Sequence, residues 1–215
     1  MTLRTRHFLE VVCSHVPEPP ARVLEVGCGK GELALALAER GFDVTAIDPN
    51  APDGSIFRQV RLEDFSDEHG FDAVVASLSL HHIHDLGQAL DTIASLLPPG
   101  GPLVLEEWAI ERLVGPTARW WYEQRRALAS VGRVESAVPD DFEAWQRQTA
   151  EDRADLHPTP AMLAELNRNF AECYLEWHPI LYSWLLHDTL YALESALIEE
   201  GAIETVGLWY VGERR

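Results

Sequence analysis

The chain has 215 residues, ample for one domain with a sizeable core, and 35 acidic against 17 basic side chains leave a net charge of −18. That charge makes a phosphate backbone and an anionic membrane poor partners, and only two small basic clusters, Arg125-Arg126 and Arg214-Arg215, stand against it. Cys13, Cys28 and Cys173 are odd in number with no paired spacing, which argues against a disulfide framework or a cysteine-rich zinc site. No apolar run of about eighteen residues and no apolar leader is present, so a cytoplasmic protein is the expectation.

Residues 2–16 carry Leu3, Phe8, Leu9, Val11, Val12 and Val16, the pattern of a short amphipathic helix, before prolines between 17 and 20 break the chain. A strand over 22–26 then runs into Gly27, Gly29 and Gly31 at alternate positions. A helix over 32–40 follows, stopped by Gly41. Glycines at such a turn remove the Cβ atoms that would hold a ligand off the backbone. They also leave amide N–H groups near the positive end of the helix. A second strand over 43–47 ends in Asp48, where an acid can accept two hydrogen bonds from a ribose diol or simply cap the turn before Pro49. The turn-forming text of 49–55 is too short for another full helix. A third strand over 57–61 leads to Leu62-Glu63-Asp64-Phe65. The apolar run 71–80 has buried-strand character, and His81, His82, His84 and Asp85 follow it. A helix over 86–97 closes on Pro98-Pro99-Gly100-Gly101, and a fifth strand covers 102–106. Beyond Trp108 the expected elements are helices near 115–130 and 140–154, a helix over 159–169, a strand over 172–181, a helix over 185–200 and a last strand over 203–213.

Spacing narrows the ligand of the glycine turn. The dinucleotide fingerprint G-x-G-x-x-G places a glycine where this chain has Glu32, and a phosphate-binding loop needs Ser or Thr after Gly-Lys, where this chain has Gly31. The text Glu25-Val26-Gly27-Cys28-Gly29-Lys30-Gly31 resembles motif I of the class I S-adenosylmethionine-dependent methyltransferases. The LHH segment at 80–82 and the PPGG turn at 98–101 resemble the small-molecule branch of the same family, and the resemblance covers 22–108. It implies an α/β fold, a doubly wound Rossmann-like mixed sheet of about seven strands, mostly parallel with an antiparallel C-terminal strand. It further implies one domain, with an N-terminal helix in 1–20, a cofactor-binding core over 21–108, a helical lid insertion over 109–158 and the rest of the core over 159–215. The cofactor would be S-adenosyl-L-methionine, held by Glu25, Gly27, Cys28, Gly29, Asp48, Pro49, Leu62, Glu63, Asp64 and Ser77. Within that set the acid at Glu25 suits an ammonium, Asp64 is favoured over Glu63 at the adenine amine, and Leu62 packs on the ring. The chain departs from the family pattern at 49–55, where a helix is usual.

Methyl transfer needs alignment, desolvation and sometimes deprotonation of the acceptor, so few catalytic groups are obligatory. His81 or His82, at the ligand-binding end of the sheet, is a candidate base; either also reads as a helix cap or a backbone hydrogen-bonder. Three histidines and Asp85 on one loop make a poor metal site, because adjacent residues seldom converge on one ion. Glu106 and Glu107 end strand five, and Glu107 is the candidate carboxylate for an acceptor proton or amine; a salt bridge to the insertion is the plain alternative. Seven tryptophans hint at a small hydrophobic or aromatic acceptor, although a small insertion also needs bulky side chains for its own core. The resembling exocyclic-amine methyltransferases of DNA and of protein glutamine use an Asn/Asp-Pro-Pro-Tyr/Phe segment after strand four; its absence at 76–80 implies a hydroxyl, amine or carbon of a small metabolite as acceptor. A monomer or homodimer is expected. Two rivals stand: a nicotinamide-dependent oxidoreductase, and a silent S-adenosylmethionine-binding accessory protein.

Overall fold

The computed structural model describes residues 1–133, 138–185 and 188–215. In chain order the elements are α1 (Leu3–His15), β1 (Arg22–Val26), α2 (Glu32–Glu39), β2 (Asp43–Ile47), β3 (Phe57–Arg58), β4 (Ala73–Ser77), α3 (Leu86–Leu96) and β5 (Pro102–Trp108). They continue with α4 (Gly115–Ser130), α5 (Phe142–Glu151), α6 (Thr159–Asn169), β6 (Phe170–His178), α7 (Leu181–Trp184), α8 (Leu190–Glu199) and β7 (Gly207–Arg214). The strands form one sheet in the order β3-β2-β1-β4-β5-β7-β6. Strands β1 to β5 pair in parallel, with Val23 beside Val44 and Ala73. The last strand runs the other way: the Gly100 N–H donates to the Arg214 carbonyl at 2.8 Å, and the Arg214 N–H to the Gly101 carbonyl at 3.0 Å.

Two compact units divide the chain. The first comprises 1–107, 160–176 and 208–215; the second comprises 108–159 and 177–207. In the first unit, successive residues of the central strands face opposite sides of the sheet, as pleating requires. Leu24, Val26, Val74 and Leu105 join Leu86, Leu90, Ile93, Met162 and Leu166 of α3 and α6 in one core. Val23, Val75 and Val104 join Phe8, Leu9 and Val12 of α1 and Leu33 and Leu37 of α2 in the other. Helix α1 starts on Thr2, whose hydroxyl accepts from the Thr5 N–H at 3.2 Å. Helix α3 starts on Asp85, which accepts from the Gln88 N–H at 2.9 Å, the capping role its position suggests. In the second unit, Trp121, Tyr122, Phe142 and Trp145 pack on one another, and the buried Glu194 accepts from the N–H groups of Ile180, Leu181 and Tyr182 at 2.7–3.0 Å, capping α7.

Several boundaries differ from the sequence expectation. Strand pairing at 57–61 stops after Arg58, and the chain turns through a 3-10 segment at Leu62–Asp64. The run 71–80 is extended only over Ala73–Ser77, because Leu78 sits at φ 52° and Leu80–His82 form another 3-10 turn. The strand expected over 172–181 ends at His178, and α7 follows. The helix expected over 185–200 begins at Leu190 with Thr189 as its N-cap; residues 186 and 187 lie outside the described residues, as do 134–137 of the expected insertion.

Candidate cofactor and active site

In an open parallel sheet, a crevice opens at the carboxyl ends of the strands where the winding direction reverses. Here the reversal falls between β1 and β4. A cavity of about 700 Å³ lies in the first unit at that place, lined by residues that follow β1, β2 and β4 together with α1 and the 62–63 segment. That volume is in the range of small-molecule and cofactor sites.

The glycine turn forms its floor. Gly27, Gly29 and Gly31 all have positive φ, at 73°, 50° and 79°. A Cβ on Gly27 would meet the Ser79 Cβ at 2.4 Å, so this glycine is fixed by contact with the segment after β4. A Cβ on Gly29 would meet nothing within 4 Å, and Gly29 lines the cavity: the space it leaves is open to a ligand. Helix α2 begins at Gly31 with no side-chain cap, and the Ala34 N–H of its first turn donates to the Glu25 carboxylate.

Glu25, at the end of β1, is 3% exposed, and its Oε2 is buried with no hydrogen-bond partner among the described residues. Burial first, and Asp48 in addition, push its carboxyl up to about 8 against the pull of the Ala34 backbone N–H. A buried acid lining a ligand-sized cavity with an unpartnered oxygen fits a cationic group. Cys28 lines the cavity too, but burial and the nearby Glu25 and Asp48 raise its thiol to about 12, so it is inert as a nucleophile. Asp48 is positioned by its own loop: Oδ2 accepts from the Gly29 N–H at 3.1 Å and Oδ1 from the Asn50 N–H at 2.7 Å. Each oxygen keeps a second lone-pair site for a ligand hydroxyl.

Of the expected cofactor residues, Glu25, Gly27, Cys28, Gly29, Asp48, Pro49, Leu62, Glu63 and Ser77 all line this one cavity. Asp64 does not; it lies on the same 3-10 turn, where Glu63 rather than Asp64 is on the wall. Of the expected catalytic residues, only His82 lines the cavity. His81 and Glu107 are buried beside it, with the His81 Nδ1 and the Glu107 Oε2 2.5 Å apart. The other Glu107 oxygen accepts from the Ser79 and Leu80 N–H groups at 3.2 and 2.8 Å, so this carboxylate is committed to holding the segment after β4. The rings of His81 and His82 are 4.2 Å apart, and burial, then His81, lower the pKa of His82.

Three features escaped the sequence reading. Arg4, from α1, lines the cavity and donates to Ser77 Oγ at 2.8 Å and to the buried Glu106 Oε2 at 2.6 Å. Ser77 also donates to Glu106 at 2.7 Å, and Trp209 Nε1 to its other oxygen at 3.3 Å, yet burial outweighs these partners and raises Glu106. Thr5 donates to Glu32 at 2.5 Å, tying α1 to the first turn of α2. Leu78, strained at positive φ, forms part of the wall. A single arginine in an amphipathic helix, 73 and 102 residues from its partners, carries no local signal. A leucine at positive φ carries none either.

The strand order and the glycine-turn cavity at the switch point define a doubly wound methyltransferase fold. A family model described as a methyltransferase domain matches residues 4–148. An uncharacterized methyltransferase of Mycobacterium bovis is 36% identical over 143 residues, covering 60% of this chain and 70% of that protein. A ubiquinone biosynthesis O-methyltransferase of Xanthomonas campestris pv. campestris is 38% identical over 112 residues, covering 45% of this chain and 47% of that protein. Among solved structures, an S-adenosylmethionine dependent methyltransferase from Mesorhizobium loti shares the fold with a TM-score of 0.61 at 18% identity, covering 95% of this chain and 96% of that one. The chain belongs to the methyltransferase-domain family, the class I S-adenosylmethionine-dependent methyltransferases. That sets aside the nicotinamide reading.

Proposed function

We propose that the enzyme methylates a hydroxyl, amine or carbon of a small hydrophobic or aromatic metabolite, and that the cavity of the first unit holds its cofactor. The observation that carries the cofactor assignment is the buried, unpartnered Glu25 Oε2 on the wall of the glycine-turn cavity, which matches the ammonium of a methionine moiety. Arg4, already bonded to Ser77 and Glu106, presents a fixed positive charge on the same wall for the carboxylate. Asp48 takes the ribose hydroxyls, and Leu62 with Glu63 takes the adenine ring and its amine. When bound, S-adenosylmethionine supplies a methyl carbon activated by a positively charged sulfur. His82, kept neutral near pH 7 by its lowered pKa, takes the acceptor proton. His81 and Glu107 support the loop that carries His82.

The acceptor class is supported by the ubiquinone biosynthesis relative, named for O-methylation, and by the aromatic content of the second unit. The test is transfer of a labelled methyl group from S-adenosylmethionine to a panel of catechols, aminophenols and aliphatic amines, with protein and RNA as comparators. Label on a small aromatic acceptor is expected; label on the macromolecules alone contradicts the proposal.

A further inference from the structure

The second unit holds a separate cavity of about 220 Å³ that the transfer chemistry above does not use. It has room for roughly seven waters at ~30 Å³ each, the size of a small organic acid rather than of a cofactor. Its walls include Trp121 and Trp145, whose rings meet edge-on with centroids 5.8 Å apart, and Arg125 and Arg153 bring two positive charges to the same space. The Arg153 guanidinium carbon is 4.5 Å from the Trp108 ring centroid and 5.2 Å from that of Trp121. That of Arg125 is 5.1 Å from the Trp121 ring. One indole therefore carries both cations on its surface, and aromatic faces hold guanidinium groups flat while leaving their in-plane N–H donors available.

Two further observations point to an occupant. The Trp121 indole N–H is buried and has no hydrogen-bond partner among the described residues. Burial, then repulsion from Arg125, lowers Arg153 to about 10, and the attraction of Asp152 is the smaller influence. An anion would answer the buried Trp121 donor and the Arg153 charge together. Asp152 is exposed on the cavity rim at the end of α5, and the chain carries a net charge of −18, so a dianion meets more repulsion than a monoanion. The flat, forked donor set of a guanidinium matches a carboxylate, and the indole walls match an apolar body.

We propose that this cavity binds the carboxylate of a small, apolar-bodied molecule, with Arg153 and the Trp121 N–H as its donors and the indole rings as its walls. The assignment goes beyond the transfer reading and does not depend on it. Calorimetric titration of the full chain at low salt with benzoate, benzamide and inorganic phosphate tests it. Benzoate is expected to bind one to one, benzamide not to bind, and phosphate to bind more weakly than benzoate. Arg153→Gln should weaken benzoate at least tenfold, with Arg153→Lys recovering part of the loss. Trp121→Phe, which keeps a ring but removes the N–H, should weaken it several-fold. Circular dichroism confirms that each variant is folded. No benzoate binding to the wild type, equal binding to a folded Arg153→Gln protein, or tighter binding of phosphate than of benzoate overturns the proposal.

Discussion

Glu25 is the residue on which sequence and structure bear most heavily. Its position before the glycines is plain from the text, but its burial with one oxygen unpartnered comes only from the packing of β1 under the turn. Because its carboxyl is pushed up from 4.5 to about 8, the folded chain binds more protons than the unfolded one between those values. The stability it contributes is full below pH 4.5, falls as pH rises through the window, and levels off above 8. Glu25→Gln removes that dependence. The stability difference between variant and wild type should grow from pH 5 to 8 by at most about 1.4 kcal/mol per pH unit, read from urea unfolding at each pH. The same variant should bind S-adenosylmethionine more weakly. His82 yields the opposite limb: its pKa is lowered, so it loses its accepting lone pair only at acid pH. The rate kcat/KM should fall on the acid side with a midpoint below 6.5, and His82→Asn should abolish that limb while lowering the rate; an unchanged limb assigns the base elsewhere.

At the scale of elements, the 3.6-residue and two-residue periods were readable, and the helices at Leu3–His15, Gly115–Ser130 and Thr159–Asn169 fall where the apolar spacing puts them. What was not readable is where a strand stops. The apolar text continues to Leu80, but pairing ends at Ser77 because Leu78 turns and Glu107, from the neighbouring strand, captures the next two N–H groups. A long-range side-chain cap of this kind leaves no local trace in the sequence. The sequence position of Glu107 suits a reacting group, whereas in the structure one oxygen accepts from the loop backbone and the other meets His81 Nδ1. Glu107→Ala should leave the buried Leu80 N–H and the Ser79 N–H without their acceptor and cost about 2–5 kcal/mol in urea unfolding. Glu107→Gln, which keeps one acceptor oxygen, should cost less. Equal losses would mean that the hydrogen bonds to the loop are not what Glu107 supplies.

At the scale of the molecule, the first unit was the legible one. Strand order, winding and the cavity at the switch point all follow from a parallel α/β pattern, and nine of the ten expected cofactor residues line a single cavity there. Six of the seven tryptophans (108, 120, 121, 145, 177 and 184) fall in the second unit, where spacing reveals bulk and aromaticity but not which rings leave a space between them. The segment 177–207, expected to belong with the sheet, clusters instead with 108–159, because the contacts that unite them are distant in sequence. The central claim is that the first-unit cavity is the S-adenosylmethionine site. Isothermal titration of the wild type and of Asp48→Ala with S-adenosylhomocysteine tests it most directly. The account predicts one-to-one binding by the wild type and affinity at least tenfold weaker in the variant, from the loss of charge-assisted bonds worth about 1.5–3 kcal/mol each. Unchanged affinity in a folded Asp48→Ala protein would contradict it.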